Sequence, residues 1–432
     1  MNVNHVGYTR RLAVLQTILT KYGLKSDAVT PIAYSLQFPW PFNNFIYKVD
    51  VHEPASATHF PGTQPGTAQA PENGLSTFVL RMGNLAVTDL NHANRVQNEV
   101  ACSALAREAL IAAGLDSLVP KIYAWRPPKS LEEPEEQNFG WSICEFKSGK
   151  DLDTEFPTLS TEDQQKVILQ LADIYAALQK AVVPPTAYEF GGLSFDSHGN
   201  MVSGQTAMRE GGPWATLSDF WTDKLRGALG GAKPTSFLRT SKKNGTPLIQ
   251  RVEQFLSEGG VTQVLRSVDT AQRCLIHSDF TMNNLLYDKE SKKITALLDF
   301  DFASINHPIE EHYFASFSDV GGGLRALSPA MYPCVMSDNF AKQPSNLSEK
   351  EKKDWDIAKF WNAAIAERNV LRPASLPGVE KIEALRRLEK SLSTMRQEKA
   401  ALLEKCPEIE DKQSDTSPLA IVVQILGAHH QV

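Results

Sequence analysis

The 432-residue chain has no run of about 18 apolar residues, so it offers no candidate for a membrane-spanning helix. Cysteine is sparse. Cys102, Cys144, Cys274, Cys334 and Cys406 are scattered and odd in number, with no CxxC and no metal-ligand spacing. That pattern excludes a disulfide framework and reads as reduced, buried thiols of a cytoplasmic protein. An excess of positive charge is also missing: the formal net charge is −6. A general nucleic-acid binder would carry a basic face, so no nucleic-acid partner is expected. There is no GxGxxG, no Walker motif and no internal repeat. What the chain does have is length and 42% hydrophobic residues, enough for one large core or two smaller ones.

Residues 1–26 hold Arg10, Arg11, Lys21 and Lys25 but no acid, a bias shared with mitochondrial transit segments. Leu12, Leu15, Ile18 and Leu19 nevertheless follow a helical period, which favours an ordinary first helix within 1–29. Residues 30–147 read as β-β-β-α-β-β. The extended segments include Phe45–Val51, Thr77–Met82, Val119–Trp125 and Trp141–Phe146, and the helix covers about 91–113. The Pro-, Gly- and Ser-rich stretch 52–76 is expected to be a long exposed loop. Residues 148–432 are mostly helical. Ser160 opens a helix to about Lys180, a hairpin surrounds Ser197–Asn200, and further helices are expected at 214–225, 248–265, 309–318, 351–370 and 378–405. The expected fold class is therefore α+β: a small antiparallel-sheet lobe at 30–147, then a larger helical lobe.

The most informative stretch is His277-Ser278-Asp279-Phe280-Thr281-Met282-Asn283-Asn284, followed by Asp299-Phe300-Asp301. Between them, Leu285–Tyr287 and Ile294–Leu298 are apolar and Asp288–Lys293 is a polar turn, the pattern of a β-hairpin. Such a hairpin brings Asn284 and Asp299 side by side. This is the layout of phosphoryl transfer, in which the protein mainly positions groups and neutralises charge. Asp279 is the candidate base, and Asn284 and Asp299 are candidate ligands of Mg²⁺. Asp301 is either a further metal ligand or part of the substrate floor. His277 is expected to hold the loop by a hydrogen bond.

Arg81 sits in the apolar strand Phe78-Val79-Leu80-Arg81-Met82, where a charge needs a partner. Glu99, in the following helix, is the candidate partner, and the pair would contact nucleotide phosphates. The plainer alternative is a surface Arg81 on an edge strand with Glu99 unrelated. Instead of a glycine-rich loop, Phe38-Pro39-Trp40-Pro41-Phe42-Asn43-Asn44 precedes the strand. Asn43 or Asn44 would face the phosphates there, unless the segment is only a turn. Glu145 and Lys147 lie at the expected lobe junction, where their backbone groups would meet an adenine ring.

These residues resemble the aminoglycoside phosphotransferase and choline kinase-like family, with its two-lobed protein-kinase-like fold. The matching pieces are Asn44-Phe45-Ile46-Tyr47-Lys48-Val49, Leu80-Arg81, Glu99, Ile276-His277-Ser278-Asp279 through Asn284-Leu285-Leu286, and Leu298-Asp299-Phe300-Asp301. The resemblance implies ATP- and Mg²⁺-dependent transfer of the γ-phosphate to the hydroxyl of a small molecule. It carries over Asp279 as base, Asn284 and Asp299 as Mg²⁺ ligands, and Arg81 steadied by Glu99 at the phosphates. The chain departs from the family where Ser278 replaces a common Gly and where Phe280-Thr281-Met282-Asn283 replaces a frequent Leu-His-Pro-Gly. The long 52–76 segment is similar to that of fungal members.

Glu310, Glu311, Asp319, Trp355, Trp361 and Glu367 are candidates for the acceptor pocket, since aromatic and acidic groups suit a cationic acceptor. Ordinary helix packing is the alternative for each. Leu385, Leu388, Leu392, Met395 and Leu402 form a heptad-like seam for packing in the lobe or against a second chain. A nucleotide-binding pseudokinase with a regulatory or scaffolding role is the alternative function, suggested by the missing glycine loop and by Arg81 in place of Lys. A protein kinase is disfavoured by Asp-Phe-Asp and by the lack of an Ala-Pro-Glu element.

Overall fold

The computed structural model describes residues 4–32, 41–87, 90–115, 118–128, 139–208, 211–232, 242–243, 246–325, 327–345 and 347–403. Phe38, Pro39, Trp40, Cys406 and the 420–426 segment lie outside them. The chain forms two compact units: Met1–Pro213 with Arg273–Arg372, and Trp214–Gln272 with Pro373–Val432. The boundary drawn at 147/148 falls inside the first unit, so the sheet and the catalytic segment share one body. Among the described residues no helix is long and apolar enough to cross a membrane.

In the first unit, strands β1 (Ser26–Ile32), β2 (Asn44–Ala55), β3 (Leu75–Gly83), β4 (Ile122–Arg126) and β5 (Trp141–Glu145) make an antiparallel sheet in the order β1-β2-β3-β5-β4. The two-residue period sorts their side chains. Phe45, Tyr47 and Val49 of β2 lie opposite Met82, Leu80 and Phe78 of β3, and all six are buried in one core. The register pairs Ile46 with Arg81 on the other face. Arg81 is the one cation of β3, and alternation sets it on the face opposite that core.

Helix α1 (Tyr8–Lys21) closes the apolar face. Leu15, Ile18 and Leu19 join the sheet core, as their period anticipated. The 52–76 segment does not form the exposed loop its composition suggested. β2 runs on to Ala55, Pro61 bridges to Gln69, and Phe60 and Ala70 are buried in the same core. Phe60 is 0% exposed, edge-on to Phe78 and stacked on Tyr123. Proline and glycine set the turns here, but one aromatic ring supplies enough buried area to dock the segment.

Helix α2 (Arg95–Ala112) follows β3. The rest of the unit is mostly helical, with short strand pairs, around a second core that includes Tyr175, Phe280, Phe300, Phe317 and Trp361. The helix Thr161–Gln179 starts where expected, with the Ser160 hydroxyl accepting from the Asp163 amide at 3.2 Å. The expected hairpin is present as Gly192–Phe195 paired with Met201–Gly204. One expectation changes here: the helix expected at 309–318 is a six-residue 3-10 turn, Pro308–Tyr313. A short helix, Tyr332–Ser337, lies in the stretch 329–350. The fold is α+β: an antiparallel sheet with one helix, then a mostly helical part that carries the His277–Asp301 segment.

The second unit contains the helices Leu217–Ala232, Leu248–Ser257, Gly260–Val264 and Val379–Leu403. The single helix expected over 248–265 breaks at Gly259, whose φ of 75° lies in the left-handed region that favours glycine. Leu385, Leu388 and Leu392 are fully buried, and their helix packs on Leu217–Ala232, so that part of the heptad seam is used within the unit. The side chains of Met395 and Leu402 lie outside the described residues.

Candidate active site

The hairpin Leu285–Asp288 with Lys293–Leu297 forms as expected, and the Leu298 amide donates to the Asn284 carbonyl at 2.8 Å. That bond sets Asn284 beside Asp299. Asn284 Nδ2 donates to Asp279 Oδ2 at 2.9 Å and to the Asp279 carbonyl at 2.9 Å. Because an amide is planar, its Oδ1 faces away from Asp279. Burial raises the Asp279 carboxyl above its usual range, and the charges of Asp299 and Asp319 add to that rise against the Asn284 hydrogen bond. A carboxylate with a raised pKa is a better proton acceptor than an ordinary aspartate.

The loop carrying Asp279 is tied from beneath by Glu311. Its Oε2 accepts from the His277 amide at 2.6 Å, and its Oε1 from the Ser278 amide at 2.8 Å and the Ser316 hydroxyl at 2.5 Å. Ser316 Oγ in turn accepts from the Phe280 amide at 2.9 Å. Burial pushes the Glu311 carboxyl up to about 7 against the pull of these donors. The bonds explain how the chain tolerates Ser278 in the left-handed region, at φ 67°. His277 holds the loop as expected. Nε2 bonds the Leu298 carbonyl at 3.0 Å, while Nδ1 accepts from the Asp279 amide at 3.3 Å, which fixes a neutral ring. Burial lowers its pKa to about 4.

Asp299 also has a left-handed φ, 64°, and turns its carboxylate toward β3. There Arg81 Nη2 donates to Asp299 Oδ1 at 2.9 Å, and Arg81 Nη1 bonds Glu99. The strand cation and the helix acid therefore meet. Burial pushes the Glu99 carboxyl up while Arg81 pulls it down, and the Arg81 guanidinium stays charged beside its acids. Asp301 has other partners than a metal: it is 2% exposed, and its Oδ2 accepts from Arg95 at 2.5 Å and from Asn44 at 2.7 Å, with Arg81 at 3.7 Å. Burial works to raise this carboxyl, but Arg95 and Arg81 outweigh it and hold it below the usual range.

Arg95 is a site residue that sequence reasoning missed. It donates to the Asn43 carbonyl at 2.8 Å and to Asn44 Oδ1 at 2.9 Å, as well as to Asp301. A signal existed. Arg95 and Glu99 are four apart, so one helix face that presents Glu99 to Arg81 also presents Arg95 one turn earlier. Asn43 and Asn44 thus join the cluster. Glu145 and Lys147 lie elsewhere, at the end of β5. Their side chains pair at 3.0 Å, and the Glu145 amide donates to the Lys121 carbonyl at 2.8 Å, so that amide is not a donor for a base.

The acceptor-pocket candidates divide. Glu311 is spent on the loop. Trp361 is in the core, 4.9 Å from the Phe317 ring, and Trp355 leans on Phe340 at 5.6 Å. Glu310 is wholly buried, and Glu367 is exposed at a helix end. Asp319 is exposed, accepts from the Met282 amide at 2.9 Å and acts on Asp279. Among the described residues no three His, Cys, Asp or Glu side chains cluster as a metal site. A cation here would lean on Asn284, on Asp299, whose side chain is 36% exposed, and on oxygens from outside the protein. That oxygen-only set fits Mg²⁺, which keeps waters and phosphates in its shell.

The sequence model of the phosphotransferase enzyme family (APH) matches residues 69–327, which span every element above from β3 to the catalytic hairpin. No curated protein matches the chain closely enough to count as a relative. Among solved structures, the chain is similar to ADP-bound aminoglycoside phosphotransferase APH(2'')-Ib, with 10% identity, TM-score 0.43, and 96% of each chain covered. The streptomycin–ATP complex of APH(2'')-IIa has 8% identity and TM-score 0.43, covering 97% of this chain and 96% of that one. Plasmodium vivax ethanolamine kinase has 13% identity and TM-score 0.39, covering 94% and 82%.

Proposed function

The chain belongs to the phosphotransferase enzyme family, and on that premise we propose that it moves the γ-phosphate of ATP to a hydroxyl of a small molecule. The observation that carries the reading is the meeting of Asp279, Asn284, Asp299 and Arg81: a basic carboxylate oriented by an amide, next to a second carboxylate bonded to a buried cation. Asp279 takes the proton as the acceptor oxygen attacks the γ-phosphorus. Asn284 keeps its carboxylate aimed. Arg81, steadied by Glu99, supplies fixed positive charge for the phosphates, with forked donors in place of a lysine point charge. Asn284 and Asp299 would hold Mg²⁺, which, when bound, neutralises phosphate charge. Asp301 serves through Arg95 and Asn44 and not as a ligand. Backbone groups of the Glu145–Lys147 segment take the base, through the Glu145 carbonyl and the Lys147 amide. The exposed Asp319 beside Asp279 favours a cationic acceptor.

A nucleotide-binding pseudokinase has one observation in its favour, the Arg81–Asp299 ion pair, which engages a carboxylate the metal would need. Incubation with labelled ATP, Mg²⁺ and a cell extract separates the two readings. Label entering the small-molecule fraction with wild type but not with Asp279→Asn supports the transferase. No transfer, together with intact ATP binding, supports the pseudokinase.

A further inference from the structure

We propose that the N-terminal segment Asn4–Arg11 is a strut for the phosphate-binding turn and stands in for the glycine-rich loop that the chain lacks. The inference rests on the reading above, in which residues 42–44 face the ATP phosphates. A glycine-rich loop works because its backbone can approach a phosphate closely. The turn 41–44 is Pro-Phe-Asn-Asn and contains no glycine, so its backbone must be set by other contacts.

Those contacts come from two sides. The buried Asn4 side chain accepts from the Phe42 amide at 2.7 Å. Arg11 fixes Asn4 in place: Nη2 donates to the Asn4 carbonyl at 2.6 Å and Nη1 to the Val6 carbonyl at 2.6 Å. Its Nε donates to the Tyr47 hydroxyl at 3.3 Å, and its guanidinium lies 3.8 Å from the centre of the Phe45 ring. Phe45 and Tyr47 are on β2, the strand that leaves the turn, so the segment grips both the turn and its exit. From the other side, Asn84 Nδ2 donates to the Phe42 carbonyl at 2.8 Å, and the Asn84 amide and Arg95 reach the Asn43 carbonyl at 2.9 and 2.8 Å. The turn is thus set before nucleotide arrives, which lowers the ordering cost of binding. Asn4 and Arg11 are positioning residues: Asn4 acts through the Phe42 amide and Arg11 through Asn4.

The test is the Kd of the full chain for ATP with Mg²⁺, and separately for adenosine, by calorimetric titration. Asn4→Ala should weaken ATP roughly fivefold, the worth of one hydrogen bond, and leave adenosine unchanged. Arg11→Lys, which cannot fork to two carbonyls, should move ATP in the same direction. Unaltered ATP affinity in both variants overturns the strut. Equal weakening of ATP and adenosine also overturns it, since the segment would then only stabilise the sheet. A wild type with no ATP affinity sinks the proposed function and the strut together, whereas a wild type that binds ATP, with indifferent variants, sinks the strut alone.

Discussion

Asp301 and Glu311 are both buried carboxylates, ten residues apart, yet they sit on opposite sides of the usual carboxylate range. Burial acts upward on each. At Asp301 two guanidiniums, Arg95 and Arg81, reverse the sign. At Glu311 the partners are two amides and a hydroxyl, and the carboxyl rises to about 7. At Glu311 the neutral donors do not offset desolvation, whereas at Asp301 the two guanidiniums do. The site is divided accordingly. The sheet side concentrates cations, which suits phosphates. On the catalytic loop burial raises Asp279, and its partner Asn284 is an amide and not a cation, so the carboxyl keeps the raised pKa that a base needs.

The largest test of this division is Asp279→Asn. The amide keeps the shape and the bond to Asn284 but cannot take a proton. Turnover should fall by about 10²- to 10⁴-fold, while the ATP-induced rise in melting temperature persists. Loss of nucleotide binding together with turnover would place Asp279 on the wrong side of the comparison.

Arg95→Met attacks the other side. It leaves Asp301 buried with Asn44 at 2.7 Å and Arg81 at 3.7 Å. Breaking a buried pair from one end costs about 3–5 kcal/mol, readable as a lower denaturant midpoint. The pH dependence should change too. A carboxyl held below its usual value contributes stability above that value and loses it as pH falls through the folded pKa. The variant should lack that contribution, so its stability should fall less steeply in acid than that of wild type.

Much of the catalytic side was legible because its geometry is local. The H-x-D-x₄-N spacing and one hairpin place Asp279, Asn284 and Asp299 without help from distant chain. Arg81 was legible because a charge in an apolar strand demands a partner and Glu99 lies in the next helix. The surroundings of Asp301 were not. Its partners Arg95 and Asn44 come from 206 and 257 positions away, and no spacing rule spans that distance. Glu311 was read as a pocket acid because a side chain that caps backbone amides leaves no sequence pattern. Phe60 was missed because composition averages over 52–76, whereas docking depends on one ring.

Glu311→Gln sharpens the contrast through pH. Folded, Glu311 keeps its proton up to about pH 7; unfolded, it loses it near 4.5. Over that window the unfolded chain binds fewer protons, so stability falls as pH rises from 4.5 to 7 and then levels. The full effect is up to about 3 kcal/mol. Gln removes the titration but loses an acceptor. The variant should therefore be less stable than wild type near pH 4.5, and the gap should narrow or invert by pH 8. Parallel urea curves for the two proteins at both pH values would refute the assignment.

The smallest expected effect concerns the backbone that Glu311 restrains. Ser278 at φ 67° carries a left-handed penalty of about 1–2 kcal/mol, which glycine does not incur. Glycine adds freedom to the unfolded chain, worth roughly 0.5–1 kcal/mol in the opposite direction. Ser278→Gly should thus stabilise by about 1 kcal/mol or less, with turnover retained, since the amide that bonds Glu311 is still present. The sign matters more than the size. If glycine destabilises, the serine side chain makes a contribution larger than the strain, and the loop is held by more than Glu311. If glycine stabilises in wild type but not in Glu311→Gln, the carboxylate is what keeps the strained turn in place, and the two substitutions report on a single contact.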